Sequence, residues 1–521
     1  MRSSRRHDSR RWMCSLLVVG MIVLLLAGCG PKDTAPSTPS TVEQESEIVI
    51  AQGVDATTLD PNMHAEAPTT NVCINIYDTL LMRDLDANII PALAESYENL
   101  DDSTWEFRLR DDVTFHNGEA FDAESVKFTL ERILDPEMNS PQMPHLSSIE
   151  EVRIIDPGTV HIITREPFPT LPAQLVSRQM VPPEYTREMG HEHLAANPVG
   201  TGPYRFVEWT RDEKIVLEAN EEYWRGRPAV DRVVFRVIPE NSTRMAELQT
   251  GSVDLIVNVP PHQAATLEED EGTAVARVPS SRVIFMGIVS DTPGPLEDVR
   301  VRQALNYGID VQSIVDNVLM GNGTPLAGQP VGEIHFGYNP SLEPYPHDPD
   351  RALDLLAEAG YPDGLELNLD SPSGRYLMDK EIAQAAVGQV ESIGVDIDLN
   401  VLEWGVYVEK IMARQLEDLF LIGWGNSTFD ADATLYSWFR TGQRFCFYDN
   451  PQIDELLDSA RVSMDQQERL QLYHQAMEIL SEEAPWVYLH QQLDIYGISG
   501  RLDWRARPDE LIYAFDARVE Q

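Results

Sequence analysis

Leu419-Phe420-Leu421-Ile422-Gly423-Trp424-Gly425-Asn426-Ser427-Thr428-Phe429-Asp430-Ala431-Asp432-Ala433-Thr434-Leu435-Tyr436 is the stretch on which the reading of the fold turns. It opens as an apolar run, the pattern of a strand covered on both faces. The run is expected to break at Gly423 and Gly425 around Trp424. A loop carrying Asn426, Ser427, Thr428, Asp430 and Asp432 follows. A buried strand that ends in glycines, an aromatic ring and convergent hydrogen-bonding groups is how α/β proteins place a small-molecule site. The competing reading is a core strand followed by an ordinary solvated loop.

The flanking segments supply the alternation of an α/β chain. Upstream, Val395-Asp396-Ile397-Asp398-Leu399-Asn400-Val401 alternates strictly and reads as a strand, with a helix expected over 406–416. Downstream, Asp465 and Glu468 form a capping-box pattern for a helix with Leu472, Ala476, Ile479 and Leu480 inward, and a last strand covers 487–498. Farther out, Asp298 caps a helix over 299–307. Asp348-Pro349 starts another, with Leu353, Leu356 and Ala357 inward and Gly360 at its end. In the first half, strands are expected at 47–51, 104–110 and 231–238 and a helix at 72–81. A further helix capped by Asp122 presents Ala123, Val126, Leu130, Ile133 and Leu134 and stops at Asp135-Pro136. Helices alternate with isolated strands in both halves, so the chain reads as two α/β units.

Its 521 residues exceed one ordinary domain, and a composition of 42% hydrophobic and 24% charged residues is that of a globular protein. The first residues differ. Arg2, Arg5, Arg6, Arg10 and Arg11 precede an apolar run over 14–27, too short to span a bilayer and suited to a signal peptide. The run ends in Leu26-Ala27-Gly28-Cys29, which resembles a bacterial lipoprotein box, with cleavage before Cys29 and a lipid on its sulfur. Residues 29–46, rich in Pro, Ser and Thr, read as a flexible tether. The expected product is a soluble body lipid-anchored on the outer side of the cell membrane.

The net charge is −45, and losing the basic leader makes the mature chain more negative still. Such a surface repels nucleic acid and anionic head groups. Beyond Cys14 and Cys29 only Cys73 and Cys446 remain, read as two buried thiols or, less simply, a disulfide. No spacing suits a metal or cofactor. An extracellular hydrolase is the competing class, but the chain has no Gly-x-Ser-x-Gly, His-Glu-x-x-His or phosphate-binding loop. His191-Glu192-His193 has the wrong spacing for a helical zinc pair. Asp430 with Asp432, two residues apart in a loop, lacks the fixed facing geometry of a glycosidase dyad.

Several segments in order carry a resemblance: Leu59-Asp60-Pro61, Pro91-Ala92-Leu93-Ala94-Glu95-Ser96, Trp105 through Gly118, Pro198-Val199-Gly200-Thr201-Gly202-Pro203-Tyr204, Asp298 through Asn306, Leu355 through Tyr361, Glu403-Trp404 and Gly423-Trp424. Together they resemble the peptide-type, family 5 solute-binding proteins of ABC transporters, which include dipeptide, oligopeptide, glutathione and nickel binders. The resemblance implies an α/β periplasmic-binding-protein clamshell of two lobes that closes by hinge bending. Lobe one would comprise 48–79, 176–283 and 490–521, with an additional subdomain at 80–175, and lobe two 284–489. It implies a monomer that hands a small solute to a permease and ATPase complex. Docking on a signalling protein is the other use of the same closure.

The family's binding residues carry over unevenly. Trp404 and Trp424 match tryptophans that line the cleft, and as buried core they would need no ligand. Ser427 stands where peptide binders place the Asp that holds the ligand ammonium, and Leu421 where oligopeptide binders place an Arg. Asp430 and Asp432 resemble a displaced acidic pair, serving either as the amine partner or as a helix cap. Arg375 falls near the arginine that takes the ligand carboxylate, with a surface ion pair as its other reading. Asn426, Tyr436 and His64 complete the candidate site. A peptide or modified peptide is the expected solute and an oligosaccharide the alternative.

Overall fold

The strand Leu419–Gly425 is buried from its first residue to Gly423, because sheet neighbours lie on both edges and apolar layers on both faces. In the computed structural model, which describes residues 46–85 and 87–520, it belongs to an eleven-stranded mixed sheet. Leu365–Pro372 runs parallel to both Val395–Leu402 and Leu419–Gly425. Thr273–Ile288 is antiparallel to Leu419–Gly425 on one side and to Trp486–Ser499 on the other. The sheet continues through Leu255–Ile256, Glu47–Gln52, Arg232–Val237, Lys214–Ala219 and Tyr204–Thr210. The two long central strands thus connect the group built around Leu419–Gly425 to the group built around Glu47–Gln52. Their pairing is irregular between Pro279 and Val283, where proline has no amide to donate to the ladder.

A separate four-stranded antiparallel sheet is made by Ala94–Asp101, Thr104–Leu109, Thr159–Thr164 and Ile149–Asp156. Trp105, Phe107 and Leu109 point into an apolar core of its own, which also takes Val126, Leu130 and Ile133. Asp122 starts the covering helix Ala123–Leu134 by accepting from the amides of Glu124 (2.9 Å) and Ser125 (3.3 Å). Two other caps fall where the sequence places them: Asp298 accepts from Arg300 N and Asp348 from Arg351 N. Gly360 ends its helix at φ +100°, a backbone state that costs glycine little. The turn through Gly200 and Gly202 is set by close approach, since a Cβ on Gly200 would lie 2.0 Å from the Ile76 carbonyl oxygen.

Several expectations shift. The strand does not break at Gly423 but runs on through Gly425. The helix expected at 72–81 is Ala67–Ile76, with Pro68 in its first turn, and the one at 406–416 is Trp404–Met412. Leu353 is 45% exposed, and Ala352, Leu355 and Leu356 form the inner face of their helix. On the helix Gln466–Glu483, Tyr473 and Met477 are buried while Leu472 and Ile479 only pack against the core. Cys73 and Cys446 are both buried free thiols. The leader, Cys29 and nearly all of the tether lie outside the described residues. Among those described, no helix is long and apolar enough to cross a membrane.

Candidate functional site

Gly423 and Gly425 serve packing rather than a turn. Arg282 pairs in register with Gly425 on the neighbouring strand. A Cβ on Gly423 would lie 2.8 Å from the Tyr376 ring and 2.9 Å from Arg282 Cδ, and one on Gly425 would lie 2.9 Å from Arg282 Nη2. The two glycines therefore admit a buried arginine side chain across the sheet. Arg282 donates to the Gly423 carbonyl (2.8 Å) and pairs through its fork with Glu510. Burial alone would raise the Glu510 pKa, but the Arg282 guanidinium overrides it and holds the carboxyl below its usual range.

Beyond this pair lies a cavity of about 400 Å³. Six of the candidate residues line it: His64, Arg375, Trp404, Trp424, Asn426 and Ser427. Arg375 follows the strand Leu365–Pro372 in a turn tied down by Asp379, whose carboxylate accepts from the amides of Gly374, Arg375 and Tyr376. Its side chain is buried rather than on the surface, at 7% exposure, against the rings of Tyr376 (4.6 Å) and Trp404 (5.2 Å). No carboxylate pairs with it among the described residues, and its Nε is buried without a partner. Burial, and then the Arg282 charge, lower its pKa. Trp404 is 5% exposed and Trp424 half-buried, and both indole N–H groups lack acceptors.

The loop after the strand is shaped by its own amides. Asn426 Oδ1 accepts from Thr428 N and Oγ1, while its Nδ2 donates to the Asp430 carbonyl (2.8 Å) and to Thr434 Oγ1. Asn426 therefore fixes the loop with the groups it would otherwise offer a ligand. Ser427 Oγ lies 2.7 Å from Ser177 Oγ, and its carbonyl accepts from Arg83 Nε at 2.8 Å. His64 has both ring nitrogens buried without partners. Burial lowers its pKa against the opposing pull of Glu66, so the ring is neutral at neutral pH.

Asp430, Asp432 and Tyr436 do not line the cavity. Asp430 caps the helix Ala431–Phe439 by accepting from Asp432 N (3.0 Å), and both its oxygens accept from Arg469 Nη2 at 2.9 Å. Asp432 is 2% exposed, accepts from Gln174 and stands 3.7 Å from Arg461 Nε. Tyr436 lies under the Arg461 guanidinium at 3.7 Å. Of the two readings left open for the acidic pair, the cap is the one this geometry displays. Leu421 is core, with its carbonyl accepting from Tyr407.

Sequence reasoning passed over Glu66, Gln174, Ser177, Arg178 and Tyr376, which also line the cavity. Tyr376 adjoins Arg375 and could have been found with it. Arg178 sits in a proline-rich crossing without periodicity, and no local signal marks it.

The geometry of a partly apolar cavity with a few unpaired polar groups is that of a small-molecule site, and comparison with known proteins agrees. A family model for bacterial extracellular solute-binding proteins, family 5 Middle, matches residues 88–445. The glutathione-binding protein GsiB of Pectobacterium atrosepticum is 32% identical over 505 residues, covering 94% of this chain and 97% of that protein. Its counterpart in Salmonella typhimurium is 31% identical, covering 89% and 92%. Among solved structures, the periplasmic binding protein DppA of Helicobacter pylori, in complex with the peptide STSA, superimposes with a TM-score of 0.85 at 27% identity, covering 92% and 98%. AgaA from A. tumefaciens, in complex with agropinic acid, gives 0.84 at 26%, covering 91% and 99%. The fold is the two-lobed α/β clamshell of periplasmic binding proteins, and the chain belongs to the family 5 extracellular solute-binding proteins, which bind solutes for ABC transporters and are not enzymes.

Proposed function

We propose that this protein captures a small peptide-like solute bearing a carboxylate, with glutathione the first candidate, and delivers it to the permease of an ABC importer. The observation that carries this reading is Arg375: a buried guanidinium with no carboxylate partner, lining the cavity between Tyr376 and Trp404. A buried charge without a counter-ion is costly, and a ligand carboxylate supplies one. A neutral oligosaccharide, which the tryptophans would also suit, leaves that charge uncompensated. The 31–32% identity to glutathione-binding proteins supports the choice of candidate.

On this reading lobe one (48–79, 176–283, 490–521) and lobe two (284–489) close on the solute, with the subdomain at 80–175 riding on lobe one. The hydrogen bonds of Ser427 with Ser177 of lobe one and with Arg83 of the subdomain are then closing contacts. The monomeric body is held to the membrane through lipid on Cys29 and residues 29–46. Lipid labelling that Cys29→Ala abolishes tests the anchor. Calorimetry with glutathione, dipeptides and neutral oligosaccharides tests the solute. Saturable binding of a carboxylate ligand that Arg375→Gln removes is expected, and an oligosaccharide binding equally to both forms would overturn the assignment.

A further inference from the structure

The cavity holds more charge than one carboxylate contact would use. Of the charged side chains lining it, Arg282 is paired with Glu510 and Asp509 with Arg507. Three others, Arg178, Arg375 and Glu66, form no ion pair among the described residues, although Glu66 acts on Arg375 from a distance. Arg178 is 6% exposed, donates only to the Ser177 carbonyl at 3.3 Å, and leaves Nε buried without an acceptor. Glu66, 9% exposed, accepts from the hydroxyls of Thr57 and Thr69 and from Ala65 N, none of which neutralises it.

The two arginines occupy different surroundings. Arg375 sits with Tyr376, Trp404 and the Arg282–Glu510 pair, within the field of Glu66. Arg178 sits with His64 and His145, whose protonation it opposes. Burial lowers the Arg178 pKa to about 10, which leaves it charged at neutral pH.

Resting on the reading of this cavity as the solute site, we propose that Arg178 is a second anion anchor and Glu66 the ammonium partner, so that the site selects solutes with two acidic groups and one amine. Two unpaired cations and one unpaired anion are the complement of such a molecule. A dipeptide with free termini presents one charge of each sign and leaves a guanidinium buried alone. Glutathione presents two carboxylates and one ammonium. A cavity that leaves a charge uncompensated rejects the smaller ligand by that cost rather than by shape.

The test is calorimetry on the purified protein with glutathione, N-acetylglutathione and the dipeptide Ala-Ala. Glutathione is expected to bind at least about 30-fold tighter than Ala-Ala, the scale of losing one partner of a buried charge pair. Arg178→Gln should bring glutathione down by a similar factor while leaving Ala-Ala no weaker, since the charge it leaves uncompensated is gone. Arg178→Lys should recover part of the loss, which separates charge from folding. Glu66→Gln should weaken glutathione and leave N-acetylglutathione equal or tighter, since that ligand has no ammonium to offer the carboxylate. If Arg178→Gln leaves glutathione unchanged while Arg375→Gln removes it, the second anchor is wrong and the solute-site reading stands. If no probe binds, both fall.

Discussion

Among the buried arginines around the 419–436 region, four divide into two contrasting pairs. Arg469 and Arg461, behind the helix Ala431–Phe439, stand against carboxylates: Arg469 on Asp430 at 2.9 Å and Arg461 beside Asp432 at 3.7 Å, stacked on Tyr436. Arg375 and Arg178, on the cavity side, form no ion pair among the described residues, although Glu66 and the Arg282-bound Glu510 act on Arg375 from a distance. Burial is similar in all four, between 4% and 7% exposure, so burial does not distinguish structure from function here. Pairing does. A buried cation whose counter-ion is already in the chain holds the fold together, and one whose counter-ion is missing leaves room for a ligand to provide it.

The largest test of that contrast is to break the paired side. Asp430→Ala removes a helix cap and strands Arg469, and should cost about 3–5 kcal/mol of stability, read by denaturant unfolding. Loss of solute affinity with unchanged stability would mean that the acidic pair belongs to the site after all. On the unpaired side, Arg375→Met keeps the bulk and removes a lone buried charge. Unfolding stability without ligand should hold or rise, while affinity for a carboxylate solute falls by about 2–5 kcal/mol.

The contrast is sharpened by a group that is unpaired yet outside the cavity. His490 is fully buried with neither ring nitrogen satisfied, and burial lowers its pKa to about 3, while His335 is lowered to about 4. A neutral imidazole carries no charge to compensate, so its lack of partners implies no ligand. It does imply acid sensitivity. The unfolded chain takes up protons near pH 6.5 that the native rings refuse until pH 4 or below. Stability present above pH 6.5 should therefore fall as the pH drops through that window, on the order of 3 kcal/mol for each ring by pH 4. Unfolding of His335→Asn should show a shallower slope there. The smallest effect is expected at Ser427, whose hydroxyl meets Ser177. Ser427→Ala should change ligand affinity by about 0.5–1.5 kcal/mol, and a larger loss would mark this contact as a principal latch.

Much of this architecture was legible locally. Asp122, Asp298 and Asp348 cap helices where their spacing places them, and Trp105, Phe107 and Leu109 alternate into a core as a half-buried strand must. Leu365–Pro372 shows the same Leu-x-Leu-x-Leu alternation and was passed over although the signal was present. The roles of Gly423 and Gly425 were not legible, because a glycine that ends a strand and one that admits a side chain from the next strand look alike in sequence. Six of nine candidate site residues line the cavity: Trp424, Asn426 and Ser427 on the strand end and its loop, Trp404 at a matched motif position, and His64 and Arg375 from loops elsewhere in the chain.

The sequence by itself determined the helix caps, the alternating strands and the ordered motifs that carry the family, since these depend on neighbours a few residues apart. Only the tertiary structure decided which charges are spent within the chain. Asp430 meets Arg469 across 39 residues, and Ser427 meets Ser177 across 250. Pairing at such separations is fixed by packing and leaves no periodicity, so the unpaired Arg178 and Glu66 became visible only in the folded chain.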